Sequence, residues 1–186
     1  MKPFVAPMLA LMTLTACVPP TAFGQKLRQT PVVENTQFEQ SIKILGVEDN
    51  AMIGGGFDKE FNNYGNHYYI RSWINKRTAV VTHQLYVSVW YRGEWHYYQR
   101  ANGQDAMPIP FTEISRDVVS CAGGRGCVLS EDFGIDLSDA VLAANPLGFS
   151  VKFYAKDGAD FILQISQAQI REQLQAVAQA RRALKP

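Results

Sequence analysis

The sequence has little excess charge and no long run of one sign. Its 18 Lys and Arg residues nearly balance 17 Asp and Glu residues. A chain without a basic excess has no overall electrostatic attraction to nucleic acid or to an anionic membrane surface. We therefore expect no nucleic-acid partner.

Catalytic and metal-binding motifs are also missing. The three histidines, His67, His83 and His96, do not have a metal-ligand spacing such as H-E-x-x-H, and the chain contains no G-x-S-x-G turn. His83 and His96 are expected on opposite faces of neighbouring strands, so they should not share a site. The sequence therefore predicts a non-enzymatic protein without a metal or a dissociable cofactor.

A long apolar run occurs only at the N-terminus. Lys2 is the only charged residue before Lys26, and residues 4–13 are mostly apolar. This stretch is too short to span a bilayer, but it suits a signal peptide. Leu14-Thr15-Ala16-Cys17 follows, and small residues before a cysteine resemble the lipobox of bacterial lipoproteins.

The resemblance covers residues 1–17 and implies cleavage before Cys17, with a diacylglyceryl group and an N-acyl chain on Cys17 as a membrane anchor. Removing 16 of the 186 residues leaves 170, and loss of Lys2 leaves 17 basic residues against 17 acidic ones. Val18 stands where some bacteria place an aspartate that retains lipoproteins in the inner membrane. The resemblance therefore favours the outer membrane, facing the periplasm.

Two further segments follow this signal peptide of residues 1–16. Residues 17–37 contain Pro19, Pro20 and Pro31 among small and polar residues, and they predict a flexible tether. Residues 38–186 are long enough for a single domain with its own core.

The other two cysteines, Cys121 and Cys127, flank a glycine-rich stretch at residues 122–126. In an oxidising compartment this spacing predicts a disulfide that closes a small loop. A redox-active pair or a metal site is the alternative, but the spacing is not C-x-x-C and no histidine is a neighbour in the sequence.

Alternation with period two predicts strands through most of the domain. The expected strands cover residues 38–47, 68–75, 81–91, 111–121, 127–137 and two C-terminal runs around residues 149–165. Ser138 should cap a short helical turn that ends before Pro146. Together these patterns predict a mainly β fold, an antiparallel sandwich or a partly closed barrel, with a C-terminal amphipathic helix.

Two strand pairs are expected to turn through three-residue loops that end in glycine. Tyr91-Arg92-Gly93 would set Val89 against Trp95, and the odd positions of residues 81–91 would face the core. Lys156-Asp157-Gly158 would set Phe153 against Phe161, Val151 against Leu163 and Phe149 against Ile165. A two-residue turn that pairs Val151 with Ile162 is the alternative for the second hairpin.

The C-terminal helix is expected over residues 166–184. Ser166 and Gln169 match a capping box. Its apolar stripe comprises Ile170, Leu174, Val177, Ala178 and Leu184. We expect the stripe to pack on the sheet, with a partner protein as the alternative.

An aromatic and basic face is the candidate binding site. The preferred register places eight residues on the side of the sheet away from the core: Tyr69, Arg71, Trp73, Tyr86, Trp90, His96, Tyr98 and Arg100. Tyr, Trp and Arg are enriched in protein-binding hot spots. The alternative is that a second layer covers these side chains and makes them core.

These patterns predict a membrane-anchored envelope lipoprotein that binds another envelope protein in an assembly. A carrier of a lipid or of a cell-wall glycan is the alternative. A deep apolar pocket would favour the carrier, and a flat exposed aromatic patch would favour a protein partner.

Overall fold

The computed structural model of the protein describes residues 27–50, 66–121, 124 and 126–184. The predicted signal peptide and Cys17 lie outside these residues. Seven strands form the larger sheet, in the order β1-β2-β4-β5-β9-β8 with β3 paired to β4. These strands are β1 (Val32–Glu34), β2 (Ser41–Leu45), β3 (Asp49–Asn50), β4 (His67–Asn75), β5 (Val81–Arg92), β8 (Phe111–Cys121) and β9 (Cys127–Leu137).

Four strands form a second, smaller sheet in the order β11-β10-β6-β7. They are β6 (Tyr98–Asn102), β7 (Pro108–Ile109), β10 (Gly148–Ala155) and β11 (Phe161–Ser166). Two helices complete the fold, α1 (Asp139–Ala144) and α2 (Gln167–Ala183). The arrangement is sandwich-like, as one of the two predictions had it, and it is not a closed barrel.

The main core lies between the two sheets. Alternation places Leu85, Val87 and Val89 of β5 inward, against Phe133 of β9 and Phe153 of β10. These inward positions of β5 are the odd ones, as the sequence predicted. Close packing of such apolar side chains is the main favourable contribution to folding here.

The predicted C-terminal hairpin is confirmed in its register. Phe149 pairs with Ile165, Val151 with Leu163 and Phe153 with Phe161. The alternative two-residue turn would have placed Ile162 inward, but this side chain is 65% exposed. The disulfide between Cys121 and Cys127 is also present, at the end of the β8–β9 hairpin.

The prediction of a hairpin through Tyr91-Arg92-Gly93 is wrong. β5 pairs with β4 on one side and β9 on the other, while β6 lies in the second sheet beside β10. Val89 therefore does not face Trp95. The segment at residues 93–97 carries the chain from one sheet to the other, and we call it the crossover.

α2 begins as predicted, because Ser166 and Gln169 form a complete capping box. One face of the helix packs on β2 and β4, where Val177 joins Ile44 and Ile74 in a second cluster. This supports the expected packing on the sheet. The inclusion of Ala178 in the apolar stripe is wrong, since Ala178 is exposed and the buried face carries Gln173 instead.

The first strand begins within the stretch predicted as tether. Val32–Glu34 pair with β2, and the Arg28 guanidinium binds Glu48 at 2.6 Å. The next predicted strand is shorter than expected, since β2 starts at Ser41 and Phe38 is exposed. Among the residues described, no helix is long and apolar enough to cross a lipid bilayer.

Candidate functional site

Five of the eight predicted site residues share one face of the larger sheet. Tyr69, Arg71 and Trp73 alternate along β4, and Tyr86 and Trp90 alternate along β5, all pointing away from the sandwich core. The strand register sets Tyr69 directly against Tyr86. We call these five residues the aromatic face.

Ring contacts order the centre of this face. The Tyr69 and Tyr86 centroids are 5.0 Å apart, and His67 stacks on Tyr69 at 6.2 Å. The Arg71 guanidinium lies 5.0 Å from the ring centroids of both Trp73 and Tyr86. Cross-strand aromatic pairs and cation–π contacts of this kind restrict side-chain rotation.

Gln84 holds Arg71 in this position. Its Oε1 accepts hydrogen bonds from Nε and Nη2 of Arg71, and its Nε2 donates to Asp136 at 3.2 Å. A Cβ at Gly134 would meet the Gln84 side chain at 2.7 Å. Gly134 is therefore required for Gln84 to lie across the sheet from β4 to β9.

A second polar row crosses the strands through Tyr86. Its hydroxyl donates to Asp132 at 2.7 Å, and Ser115 of β8 donates to the same carboxylate. Burial, together with the hydrogen bond to Asp132, raises the pKa of the Tyr86 phenol far above its ordinary value of 10.0. The hydroxyl therefore stays protonated and remains a donor at neutral pH.

The aromatic face is neither core nor fully open. All five of its side chains are half-buried, while Gln84 and Ser88 between them are buried. The smaller sheet and α2 both pack on the opposite side of the larger sheet. Within the described residues, neither of them covers the aromatic face as a second layer. A partly exposed, ordered surface results.

The three other predicted site residues lie elsewhere because the chain crosses to the second sheet. Tyr98 is 2% exposed and packs on Phe133 in the core, and it does not face Tyr86. His96 binds Asp157 at 2.6 Å. Arg100 lies 3.5 Å from the ring centroid of Tyr154 on the outside of the smaller sheet.

Glu131 is a buried carboxylate that local sequence patterns do not reveal. It is only 1% exposed. Its carboxylate accepts hydrogen bonds from the Tyr91 hydroxyl, from the backbone N–H groups at residues 97 and 98, and from Arg116. A buried carboxylate is retained where this many donors compensate its lost hydration.

Glu131 thereby determines the path of the crossover. It binds two consecutive backbone N–H groups, one of them at Tyr97, whose φ of +54° is unusual for a residue with a side chain. No local sequence signal marks this role, because the donors come from three separate segments.

A serine, a histidine and an aspartate also meet, although the sequence gave no reason to expect it. The Ser72 hydroxyl lies 2.6 Å from Nδ1 of His83, and Nε2 of His83 lies 2.8 Å from Asp139. Gln173 of α2 donates to Ser72 at 2.6 Å. Ser72 is completely buried under α2, so a substrate cannot reach its hydroxyl, and the row links α1 and α2 to the sheet.

A cleft of about 600 Å³ opens at one end of the sandwich. Its lining is mainly apolar, with Met107, Ile109, Leu137 and Phe149 joined by Val141 of α1. Within the described ranges, no three His, Cys, Asp or Glu side chains come together as metal ligands.

Comparison with the models of known protein families, with curated proteins and with solved structures finds no match to this chain. Its function is therefore argued from its own residues.

Proposed function

We propose that this protein is a lipid-anchored envelope protein whose domain binds another envelope protein through the aromatic face. The anchor is the diacylglyceryl and N-acyl lipid on Cys17 that the lipobox resemblance implies, and the location is the outer membrane, facing the periplasm. The role is non-catalytic and belongs to an assembly. No nucleic acid or dissociable cofactor takes part.

The order of the aromatic face carries the proposal. Arg71 is held between Trp73 and Tyr86 and by Gln84, so its conformation is already restricted before a partner arrives. Binding then costs less side-chain entropy than it would at a mobile surface. Rigid Tyr, Trp and Arg side chains at the centre of a flat patch are typical of the few residues that dominate protein interfaces.

The test is crosslinking in living cells, followed by pull-down of the tagged full-length protein and mass spectrometry. The wild type is compared with Trp90→Ala and with Leu147→Ala, a change at an exposed apolar residue outside the aromatic face. We expect one dominant envelope protein with the wild type and the control, and at least a tenfold loss with Trp90→Ala, equal to about 1.4 kcal/mol.

Equal recovery from all three strains would contradict the role of the aromatic face. Recovery of no specific protein from the wild type would contradict the protein partner itself.

A lipid or glycan carrier is the second candidate, and the cleft near α1 favours it. Its volume lies within the range of small-molecule sites, and Leu137 and Phe149 give it an apolar floor. Lipid extraction and mass spectrometry of the purified protein test this function. We expect a bound molecule in the wild type that is lost in Leu137→Asp. An extract of the wild type without any bound molecule would contradict the carrier function.

A further inference from the structure

We infer that the outer surface of the smaller sheet rests on a phospholipid membrane that contains anionic lipid. This inference depends on the proposed lipid anchor and adds an orientation to it. The surface consists of Arg100, Lys152, Tyr154, Lys156 and Ile162, and we call it the basic face.

The basic face is formed by adjacent strands. Tyr154 of β10 pairs with Arg100 of β6, and Lys152 of β10 pairs with Ile162 of β11. Lys152, Tyr154 and Ile162 alternate with buried core residues, so their side chains point out of the sandwich. Lys156 follows the end of β10 and lies 5.6 Å from the Tyr97 ring centroid. Arg100 and Lys156 are exposed, and Ile162 is 65% exposed.

Its three cations separate it from the aromatic face, which has one, Arg71. Lys152 has a carboxylate neighbour, Asp160 at 3.4 Å, whereas Arg100 and Lys156 form no ion pair with any carboxylate of the described residues. On the larger sheet, Arg28 pairs with Glu48 and Lys43 pairs with Glu34, whereas Arg71 is held by Gln84. Two cations without a carboxylate partner among the described residues therefore lie beside Lys152 on the smaller sheet, although the mature chain is formally neutral.

The side-chain types match a membrane interface. Arg100 lies 3.5 Å and Lys152 lies 4.6 Å from the Tyr154 ring centroid, so the two cations flank one tyrosine. Tyrosine with Lys and Arg is the combination that occupies the headgroup level of a bilayer. Ile162 adds an apolar side chain that is 65% exposed.

The point at which the chain enters the domain is compatible with this orientation. Ten residues separate Cys17 from Arg28, so Arg28 stays within about 40 Å of the lipid anchor even at full extension. Arg28 binds Glu48, and the adjacent Asp49 contacts the Tyr68 hydroxyl. That hydroxyl donates to the carbonyl of Gln164 in β11 at 2.7 Å.

The Arg28 guanidinium also lies 4.7 Å from the Tyr69 ring centroid, so the chain enters at the edge of the larger sheet. The contacts of Asp49 and Tyr68 link this edge to β11. A tether of this length keeps the basic face at high local concentration near the membrane, so that a weak surface contact is sufficient. The aromatic face, where Arg28 lies against Tyr69, is on the opposite side of the sandwich and then points away from the membrane toward a protein partner.

The experiment uses the lipidated full-length protein in vesicles of phosphatidylethanolamine and phosphatidylglycerol. A nitroxide is attached to Ile162→Cys or, as the matched control, to Thr82→Cys on the exposed outer side of β5. Collisions with lipid-dissolved oxygen and with a water-soluble nickel chelate are compared by electron paramagnetic resonance. Mass spectrometry confirms that Cys121 and Cys127 remain joined.

We expect the ratio of oxygen to nickel collisions at residue 162 to rise several-fold on reconstitution, and the ratio at residue 82 to stay unchanged. A second variant that carries Arg100→Glu and Lys152→Glu should abolish the rise at residue 162 while the protein remains bound to the vesicles.

A water-exposed label at residue 162 in protein that floats with the vesicles would overturn the orientation and leave the anchor intact. Protein that does not float at all would overturn the anchor and the orientation together. Shielding of residue 162 only after a purified partner protein is added would make the basic face a protein interface instead.

Discussion

In two segments of this protein a charged residue precedes a glycine at or just beyond the end of a strand, and the two segments direct the chain differently. After β10, residues 156–158 turn the chain back into the same sheet as β11. After β5, residues 93–97 pass the chain to the other sheet, where β6 pairs with β10. The first turn is determined by the apolar side chains on its own two strands, and the crossover is determined by one buried carboxylate on a third strand, Glu131.

This difference indicates when the local sequence is sufficient to predict which strand the chain pairs with after a turn. The strands that flank residues 156–158 have inward phenylalanines at matching positions, so local pairing and core burial favour one register. β5 is flanked by β4 and β9, which occupy both of its edges. No edge remains for β6, whatever the turn residues prefer.

The largest expected effect concerns the hairpin. Phe153→Ala removes a ring that packs on both Phe133 and Phe161 in the core. We expect the free energy of unfolding to fall by about 3–5 kcal/mol in urea denaturation. Ile162→Ala in the same hairpin is the control, and a loss for Phe153→Ala no larger than that of the control would refute core pairing as the cause of the register.

Replacing Glu131, which binds the crossover, should lower the free energy of unfolding almost as much as Phe153→Ala does. Glu131→Gln keeps the shape but removes the charge that compensates Arg116, and it should cost about 3 kcal/mol. Glu113→Gln removes the exposed partner of Arg116 and should cost less than about 1 kcal/mol. Hydrogen exchange of the backbone N–H groups at residues 97 and 98 should accelerate only in Glu131→Gln, and unchanged exchange there would contradict the assigned role.

Gly93 of the crossover and Gly158 of the hairpin can be compared directly, and the expected effects of replacing them are smaller. Gly93 has a φ of +117° and Gly158 a φ of +86°, and no atom lies within 4 Å of a Cβ added at either position. A difference between Gly93→Asn and Gly158→Asn therefore reports backbone conformation alone. We expect about 1–2 kcal/mol for Gly93→Asn and less for Gly158→Asn, which is closer to the left-handed region that asparagine tolerates. Thermal unfolding of both variants measures this, and the opposite ranking would show that the loops relax.

The smallest effect concerns the link between the two segments, where His96 of the crossover binds Asp157 of the hairpin. Burial opposes ionisation of Asp157, but hydrogen bonds from His96 and from the N–H of Ala159 lower the pKa of its carboxyl below the ordinary 3.8. A lowered pKa in the folded state contributes stability above pH 3.8, and this contribution is lost as the pH falls through the folded value.

We therefore expect Asp157→Asn to flatten the acid limb of the curve of melting temperature against pH. Asp117→Asn, on the exposed part of β8, serves as the control. An acid limb as steep in Asp157→Asn as in the wild type would show that the link contributes nothing to stability.

Sequence patterns were most accurate where neighbouring residues determine the structure. The capping box at Ser166 and Gln169, the helix cap at Ser138 and the disulfide each depend on groups within a few residues of one another. Alternation along β4 and β5 likewise put Tyr69, Arg71, Trp73, Tyr86 and Trp90 on one face, because side chains in a strand alternate with period two.

The rest of the candidate site could not be read from local patterns. His96, Tyr98 and Arg100 were assigned to the same face through an assumed hairpin, and the choice of sheet for β6 depends on which strands already flank β5. The burial of Glu131 depends on donors that are distant in sequence. The basic face arises for the same reason, since β6, β10 and β11 contribute its cations and Ile162 from separate segments.

The sequence by itself determined the strand-rich class, the positions of the helices, the inward and outward sides of most strands and the disulfide. These follow from backbone geometry, hydrophobic periodicity and short-range hydrogen bonds. Only the tertiary structure decided which strands are neighbours, which carboxylate is buried and which cations share the basic face. Those outcomes depend on competition for strand edges and on contacts between groups far apart in the chain.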